Sequence, residues 1–450
     1  MTIVSGGPAG GADTWSPPLP WPSPLSRPPS PPTATPTTTP VITGLGIIAP
    51  SGLGAEEHWR STLAGELRVR PITSFDSGGY VSTLAGQVEG FRPEDHLDHR
   101  LIVQSDRWTW MGVAASRLAM ADAGYDPAEH DPYDTSVIFG AGSGGNEYGQ
   151  REISRLWSRG RRAVSPYQSI AWFYAATTGQ TSIWNGLKGP SGVIVSDGAG
   201  GLDSLGQARR TIRRGLPTVL AGGAEAGLTP YALTCQITGR RLSSATDPAD
   251  GYKPFDRAAG GHVPGEGGVT LLVEDPVTAA ARGADPYARI VGYAATHDAH
   301  HHEDAPPDAR WLAAAMTRAL ADAGLSPGDV DVVFADGAGT RELDALEAAA
   351  IRAVFGARAV PVPVTAPQGL VGRMCAGGSA LSAATAVLAI RDGVIPAVGN
   401  LTEPAPGLGL DLVREPRERP VRVAMVNARG YGGFNSSLIV RAVGTGTGER

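Results

Sequence analysis

Short apolar runs that end in glycine turns and give way to helices constrain this chain more than any other feature. Val193–Ser196 reads as a buried strand, breaks at Asp197-Gly198-Ala199-Gly200-Gly201, and continues as a helix from Leu202 to about Arg213. The same order recurs. Ser136–Phe139 reads as a buried strand followed by a glycine turn and a helix over Glu147–Trp157. Val330–Ala335 reads as a strand followed by a helix over Leu343–Val354. Further helices are expected at Val113–Asp122, Arg310–Ala323 and Ala380–Arg391, and further strands at Val41–Ile48, Thr218–Gly222, Val269–Glu274, Arg289–Tyr293, Val421–Asn427 and Ser436–Arg441. Strands alternating with helices predict an α/β fold with largely parallel, doubly covered sheets. Asp336-Gly337-Ala338-Gly339, before Leu343-Asp344, echoes Asp197-Gly198-Ala199-Gly200, before Leu202-Asp203, which fits an internally duplicated fold.

Two similar halves also suit the length. The 450 residues exceed a single core, since cores stop growing near roughly 250–300 residues. The formal net charge of −6 leaves no basic field to hold nucleic acid or an anionic membrane. No apolar run reaches the ~18–20 residues of a membrane span, and the N-terminus lacks a secretory signal's basic start and apolar segment. Cys235 and Cys375 are the only cysteines, so disulfide stapling is not expected. These properties describe a soluble, cytoplasmic protein.

Residues 1–40 stand apart, with twelve of the 37 prolines mixed with Ser and Thr. Such a segment buries too little apolar surface to offset its ordering entropy, so a disordered or partly polyproline leader is expected. The folded halves are expected at residues 41–288 and 289–442, with a flexible tail over 443–450.

Three features invite chemistry. Gly140-Ala141-Gly142-Ser143-Gly144-Gly145 matches the dinucleotide pattern GxGxxG, but no second strand ends in an acidic residue at the required distance. Glycines that let a sheet end meet a helix are the simpler reading. His297, His300, His301 and His302 cluster with Asp298, Glu303 and Asp304, but adjacent histidines on a loop rarely share one metal geometry, and no metal site is assigned. The turn at Asp197–Gly201 has the form of a nucleophile elbow, where helix N–H groups stabilise an anion. It carries no side chain able to attack a carbonyl except an acceptor-only carboxylate.

Here a resemblance enters. Val41–Gly46, Gly222-Gly223-Ala224-Glu225-Ala226, Pro254-Phe255-Asp256-Arg257, Gly265-Glu266-Gly267, Val291-Gly292-Tyr293 and the segment from Asn427 to Asn435 resemble the β-ketoacyl-ACP synthase family, in its order and spacing, over roughly residues 41–442. The resemblance implies a thiolase-like fold of two similar halves in α-β-α-β-α layers. Active members use a Cys-His-His set. By alignment from Gly201-Leu202-Asp203, the cysteine falls at Gly198; the histidines fall at Asp336 and Arg373, and a family lysine at Gln368. Glu347 matches the family's acidic residue. Asp336 cannot act as a neutral imidazole does, and Arg373 cannot exchange a proton near pH 7.

Ala199-Gly200-Gly201-Leu202-Asp203, Gly149-Gln150-Arg151-Glu152 and the run from Gly261 to Gly267 further resemble the chain length factor, or ketosynthase β subunit, of bacterial type II aromatic polyketide synthases. That implies a chain without catalytic residues of its own, paired with a ketosynthase α subunit. The pair would build a poly-β-ketone from malonyl units delivered on the phosphopantetheine arm of an acyl carrier protein, and no cofactor of its own is expected. The family's length gate maps to Asn146, Gly149 and Ile153, and Gly149 implies a long tunnel. The family usually has glutamine where Gly198 stands, linked to malonyl decarboxylation for priming, and glycine offers no such amide. Two rivals remain open: an independent acyltransferase, with Cys375 beside Arg373 as the candidate nucleophile against a buried structural thiol, and a pure scaffold.

Overall fold

The computed structural model describes residues 38–300 and 305–444. The leader expected over residues 1–40 lies outside these residues up to position 37. Thr38–Pro40 are placed: Pro40 is buried, its carbonyl accepts the Ile290 N–H, and Thr38 accepts from Arg213. Hydrogen bonds to their main chain thus tie Thr38 and Pro40 to the end of a helix and to the sheet.

The first half runs β1 (Val41–Ala49), α1 (Arg107–Asp122), β2 (Thr135–Gly140), α2 (Asn146–Arg159), α3 (Gln168–Trp172), β3 (Gly192–Ile194), α4 (Gly200–Ile212), β4 (Thr218–Glu225) and β5 (Gly267–Glu274). The second runs β6 (Ala288–His297), α5 (Arg310–Ala323), β7 (Val332–Phe334), α6 (Arg341–Phe355), β8 (Pro363–Thr365), α7 (Cys375–Asp392), β9 (Val423–Gly430) and β10 (Phe434–Ala442). The expected elements are present, most of them longer by a few residues at their ends.

The strands pair in the order β1-β5-β4-β2-β3 in the first half and β6-β10-β9-β7-β8 in the second. In both, the first two pairings are antiparallel and the last two parallel. The sheets are thus mixed and not largely parallel, since β5 and β10 run against both neighbours. A short antiparallel contact, Val41 opposite Arg289 and Ile42 opposite Ala288, joins the halves.

The duplication reaches single atoms. A Cβ on Gly44 of β1 would lie 2.1 Å from the Ala119 carbonyl of α1, and one on Gly292 of β6 would lie 2.3 Å from the Ala319 carbonyl of α5. Only glycine lets strand and helix approach so closely. One residue on, the Leu45 N–H donates to Asp122 at 2.8 Å and the Tyr293 N–H to Asp322 at 2.9 Å. The repeated Asp-Gly-Ala-Gly is a different matter. One copy follows β3 and the other follows β7, but β3 corresponds to β8 and β7 to β2. The sequence echo falls on non-equivalent turns of a fold that is nonetheless duplicated.

Helices α4 and α7 pack on each other between the half-sheets, α1 covers β1 and β5, and α5 covers β6 and β10. This is the α-β-α-β-α layering. α7 is built from small apolar residues on all sides, as a helix buried all round must be. Leu202, Leu205, Val387 and Leu388 join Ile42, Ile47, Val269, Ile290 and Leu438 in the central core. At the other extreme, β3 is a sheet edge. Val193–Ser196, expected as a buried strand, is half-exposed, and Val195 is 51% exposed. Val193 and Ile194 still pack against the core and Ser196 is buried, so the exposure centres on Val195, and no strand among the described residues pairs with the outer edge of β3.

Candidate functional site

Three connections converge where the half-sheets meet the central helices: the β3–α4 turn, the segment after β7, and the entry to α7. Asp197 holds a left-handed conformation (φ 48°) at the first of these, and its carboxylate accepts the Tyr431 N–H at 2.7 Å. Gly198 follows, buried. A Cβ there would lie 2.4 Å from the Arg429 carbonyl oxygen and 2.9 Å from Arg373 Nη2. A side chain cannot enter without moving backbone.

Arg373 occupies that space. Its guanidinium donates to both carboxylate oxygens of Asp336, each at 3.1 Å, and to the Arg429 carbonyl at 2.5 Å. Asp336 also accepts the Arg429 N–H at 2.9 Å. The pair is buried, 16% and 7% exposed by side chain. Desolvation opposes the Arg373 charge, but Asp336, Tyr252 and Asp197 outweigh it and the guanidinium stays ionised. Gln368 donates to the main-chain carbonyls of Ala335 and Asp336. Glu347 accepts the Asp336 and Gly337 N–H groups at 2.8 and 2.9 Å, and burial, then the Asp336 charge, raises its pKa above the usual carboxylate range. The positions that the resemblance singled out, Gly198, Asp336, Arg373 and Gln368, thus meet in one place.

A cavity of about 460 Å³ opens beside this cluster, with Asn146, Trp172, Glu225, Arg241, Arg373 and Cys375 in its wall. Burial pushes the Glu225 carboxyl up to about 7, although the Gly142 N–H and the Ser143 hydroxyl donate to it. Burial, with Arg373 and Arg241 nearby, pushes His262 down to about 3, so it is neutral. Cys375, the first residue of α7, is half-buried and lines the same cavity beside the elbow. Burial, then Asp197 and Glu225, raises its pKa well above that of an ordinary thiol. A protonated thiol facing carboxylates is a poor nucleophile. At the elbow itself, then, Gly198 offers no side chain, Cys375 is held protonated, and Asp336 is tied up by Arg373.

The three gate positions do not share one environment. Asn146 lines the cavity; Gly149 is buried beneath the Trp172 indole; Ile153 is 52% exposed. The room expected at Gly149 is filled. In the glycine run, a Cβ on Gly140 would lie 2.5 Å from Gly200 at the start of α4, which is the close sheet-to-helix contact its sequence suggested. His301–Asp304 lie outside the described residues; His297 stacks edge-on against Phe434. Sequence reasoning missed Arg429 and Trp172 as contributors. Arg429 acts largely through its main chain, which no residue type announces.

Residues 39–278 match the β-ketoacyl synthase N-terminal domain and residues 287–402 the C-terminal domain. The chain belongs to the β-ketoacyl synthase family. Within it, the chain is a ketosynthase β subunit, the chain length factor of aromatic polyketide synthases. It is 50% identical over 407 residues to the tetracenomycin polyketide synthase ketoacyl synthase β subunit of Streptomyces glaucescens, covering 90% of this chain and 98% of that one. It is 46% identical to the actinorhodin polyketide putative β-ketoacyl synthase 2 of Streptomyces coelicolor, covering 89% and 98%. Among solved structures, the ishigamide ketosynthase/chain length factor superimposes with a TM-score of 0.84 at 29% identity, covering 91% of this chain and all of that one. A type II synthase acyl carrier protein in complex with its hexaketide-bound ketosynthase gives 0.82 at 27%, covering 90% and 100%. No helix among the described residues of this chain length factor is long and apolar enough to cross a membrane.

Proposed function

We propose that this chain length factor is the silent half of a heterodimer. A ketosynthase α subunit supplies the nucleophile, an acyl carrier protein delivers malonyl groups on its phosphopantetheine arm, and this chain bounds the space into which the poly-β-ketone grows. The observation that carries the reading is the bidentate Arg373–Asp336 pair packed over Gly198. A locked ion pair supports it because the resemblance aligns these positions with a reacting thiol and two imidazoles. Asn146, Gly149 and Ile153 mark the stretch of α2 that borders the proposed gate. With neither a side chain at Gly198 nor room for one, no amide is available there to stabilise a developing enolate, so priming by decarboxylation is not assigned to this subunit.

The free edge of β3 runs into the exposed Val195 (51%), and the same half also exposes Trp157 (84%), Phe173 (55%) and Ile183 (71%). An unpaired strand edge with apolar neighbours is a template for association. Co-expression with a catalytic ketosynthase should yield a one-to-one complex that condenses malonyl units, while this chain alone does not. Val195→Asp should reduce co-purification at unchanged helical content. Condensation by the isolated chain, or a complex indifferent to the Val195 change, would overturn the assignment or its surface respectively.

A further inference from the structure

The identity of the wall residue that limits product length is open even if the chain bounds the growing polyketide, and the following inference rests on that reading. We propose that Trp172, from α3, and not a side chain of α2, sets where the polyketide must stop in this protein. A Cβ at Gly149 would lie 2.9 Å from Trp172 Cδ1, 3.5 Å from Nε1 and 3.7 Å from Cγ. The indole therefore occupies the volume that a residue at position 149 would otherwise fill. It lines the cavity together with Asn146 and Tyr174, and its ring centroid is 6.1 Å from that of Tyr174.

The ring is held from behind. The Trp172 carbonyl accepts the Gly145 N–H at 3.2 Å. A Cβ on Gly144 would come within 2.4 Å of that carbonyl oxygen, and one on Gly145 within 2.1 Å of the Ala171 oxygen. The turn before α2 thus meets the end of α3 backbone to backbone, with Ala171 fully buried. The main chain of Trp172 is pinned while its side chain, 45% exposed, keeps one face over Gly149 and another toward the cavity. A bulky ring on a fixed main chain takes up the same stretch of wall whichever way it turns about its side-chain bonds, so its volume stays at the end of α3 beside the cavity.

The test uses the complex with its catalytic ketosynthase, acyl carrier protein and malonyl donor, with products sized by mass spectrometry. Trp172→Ala should lengthen the dominant product by at least one two-carbon unit. Trp172→Phe should largely keep the parent length. Gly149→Val should shorten it, because the new side chain drives the indole toward the cavity. Parent-length product from Trp172→Ala at an undiminished rate would overturn the proposal. Should Trp172→Ala fail to pair, the other two variants decide: a Gly149→Val complex making parent-length product refutes it. Exchanging the whole subunit for another chain length factor separates the two levels. If exchange leaves length unchanged, the underlying reading fails; if exchange changes length but the Trp172 and Gly149 variants do not, only the role of Trp172 fails.

Discussion

At Gly198 the absence of a side chain is enforced by what surrounds it. The Arg429 carbonyl oxygen and the Arg373 guanidinium leave no room for a Cβ. Restoring a thiol would therefore not restore the activity of the family's catalytic members. Gly198→Cys should be destabilised by roughly 1–3 kcal/mol through overpacking and should remain unable to condense malonyl groups alone. Urea unfolding and an assay of the isolated chain check both. A stable, self-sufficient variant would contradict the account. The alignment of Gly198, Asp336 and Arg373 with the family's Cys-His-His positions was legible in the sequence because flanking motifs define it. Their consequence was not. Asp336 and Arg373 lie 37 residues apart, and spacing alone gives no sign that they form a pair or that the pair occupies the place of the missing thiol. The place of Cys375 was likewise not legible, since the start of α7 meets the elbow only through the fold.

Among the elements, long periodic segments were the readable ones. Arg310–Ala323 is found with the boundaries expected, α1 differs only in starting earlier, and α7 starts five residues earlier and ends one later. α1 begins at Arg107 because Asp106 caps it, accepting the Trp108 N–H at 3.3 Å while also accepting the Tyr148 N–H of α2 at 2.7 Å. That second contact crosses between elements, so no local pattern foretells it. The misreadings share one cause. An apolar run such as Val193–Ser196 looks the same whether a sheet or a partner covers it, and strand direction depends on which strands become neighbours. Sequence similarity likewise paired the wrong turns, whereas the matching strand orders reveal the true correspondence. Trp172 over Gly149 belongs to this class too: one glycine's empty volume was filled by a side chain from another helix.

The molecule as a whole buries carboxyl groups at its centre, and this sets its response to pH. Burial pushes Asp106, Glu225 and Asp344 up to about 7 and raises Glu347 as well. An unfolded chain releases these protons near pH 4, so the folded state holds more protons between there and about pH 7, and stability falls as pH rises through that range. Burial pushes His58 and His262 the other way, to about 4 and about 3, and the stability linked to them is lost as pH falls from 6.5. The two trends oppose each other below pH 6.5, and above it only the carboxyl effect remains. The melting temperature of the isolated chain should therefore decline between pH 6.5 and 8.5; a rise over that interval would show these carboxyls ionised at no cost.

The central claim is that this subunit contributes shape and not chemistry to a polyketide synthase. The most direct measurement holds one catalytic ketosynthase constant and sizes its products with this chain and with a second chain length factor in turn. The account predicts that product length changes with the subunit exchanged while the ketosynthase thiol remains indispensable in both pairs. Product length that follows the ketosynthase regardless of its partner, or condensation that survives removal of that thiol, would contradict it.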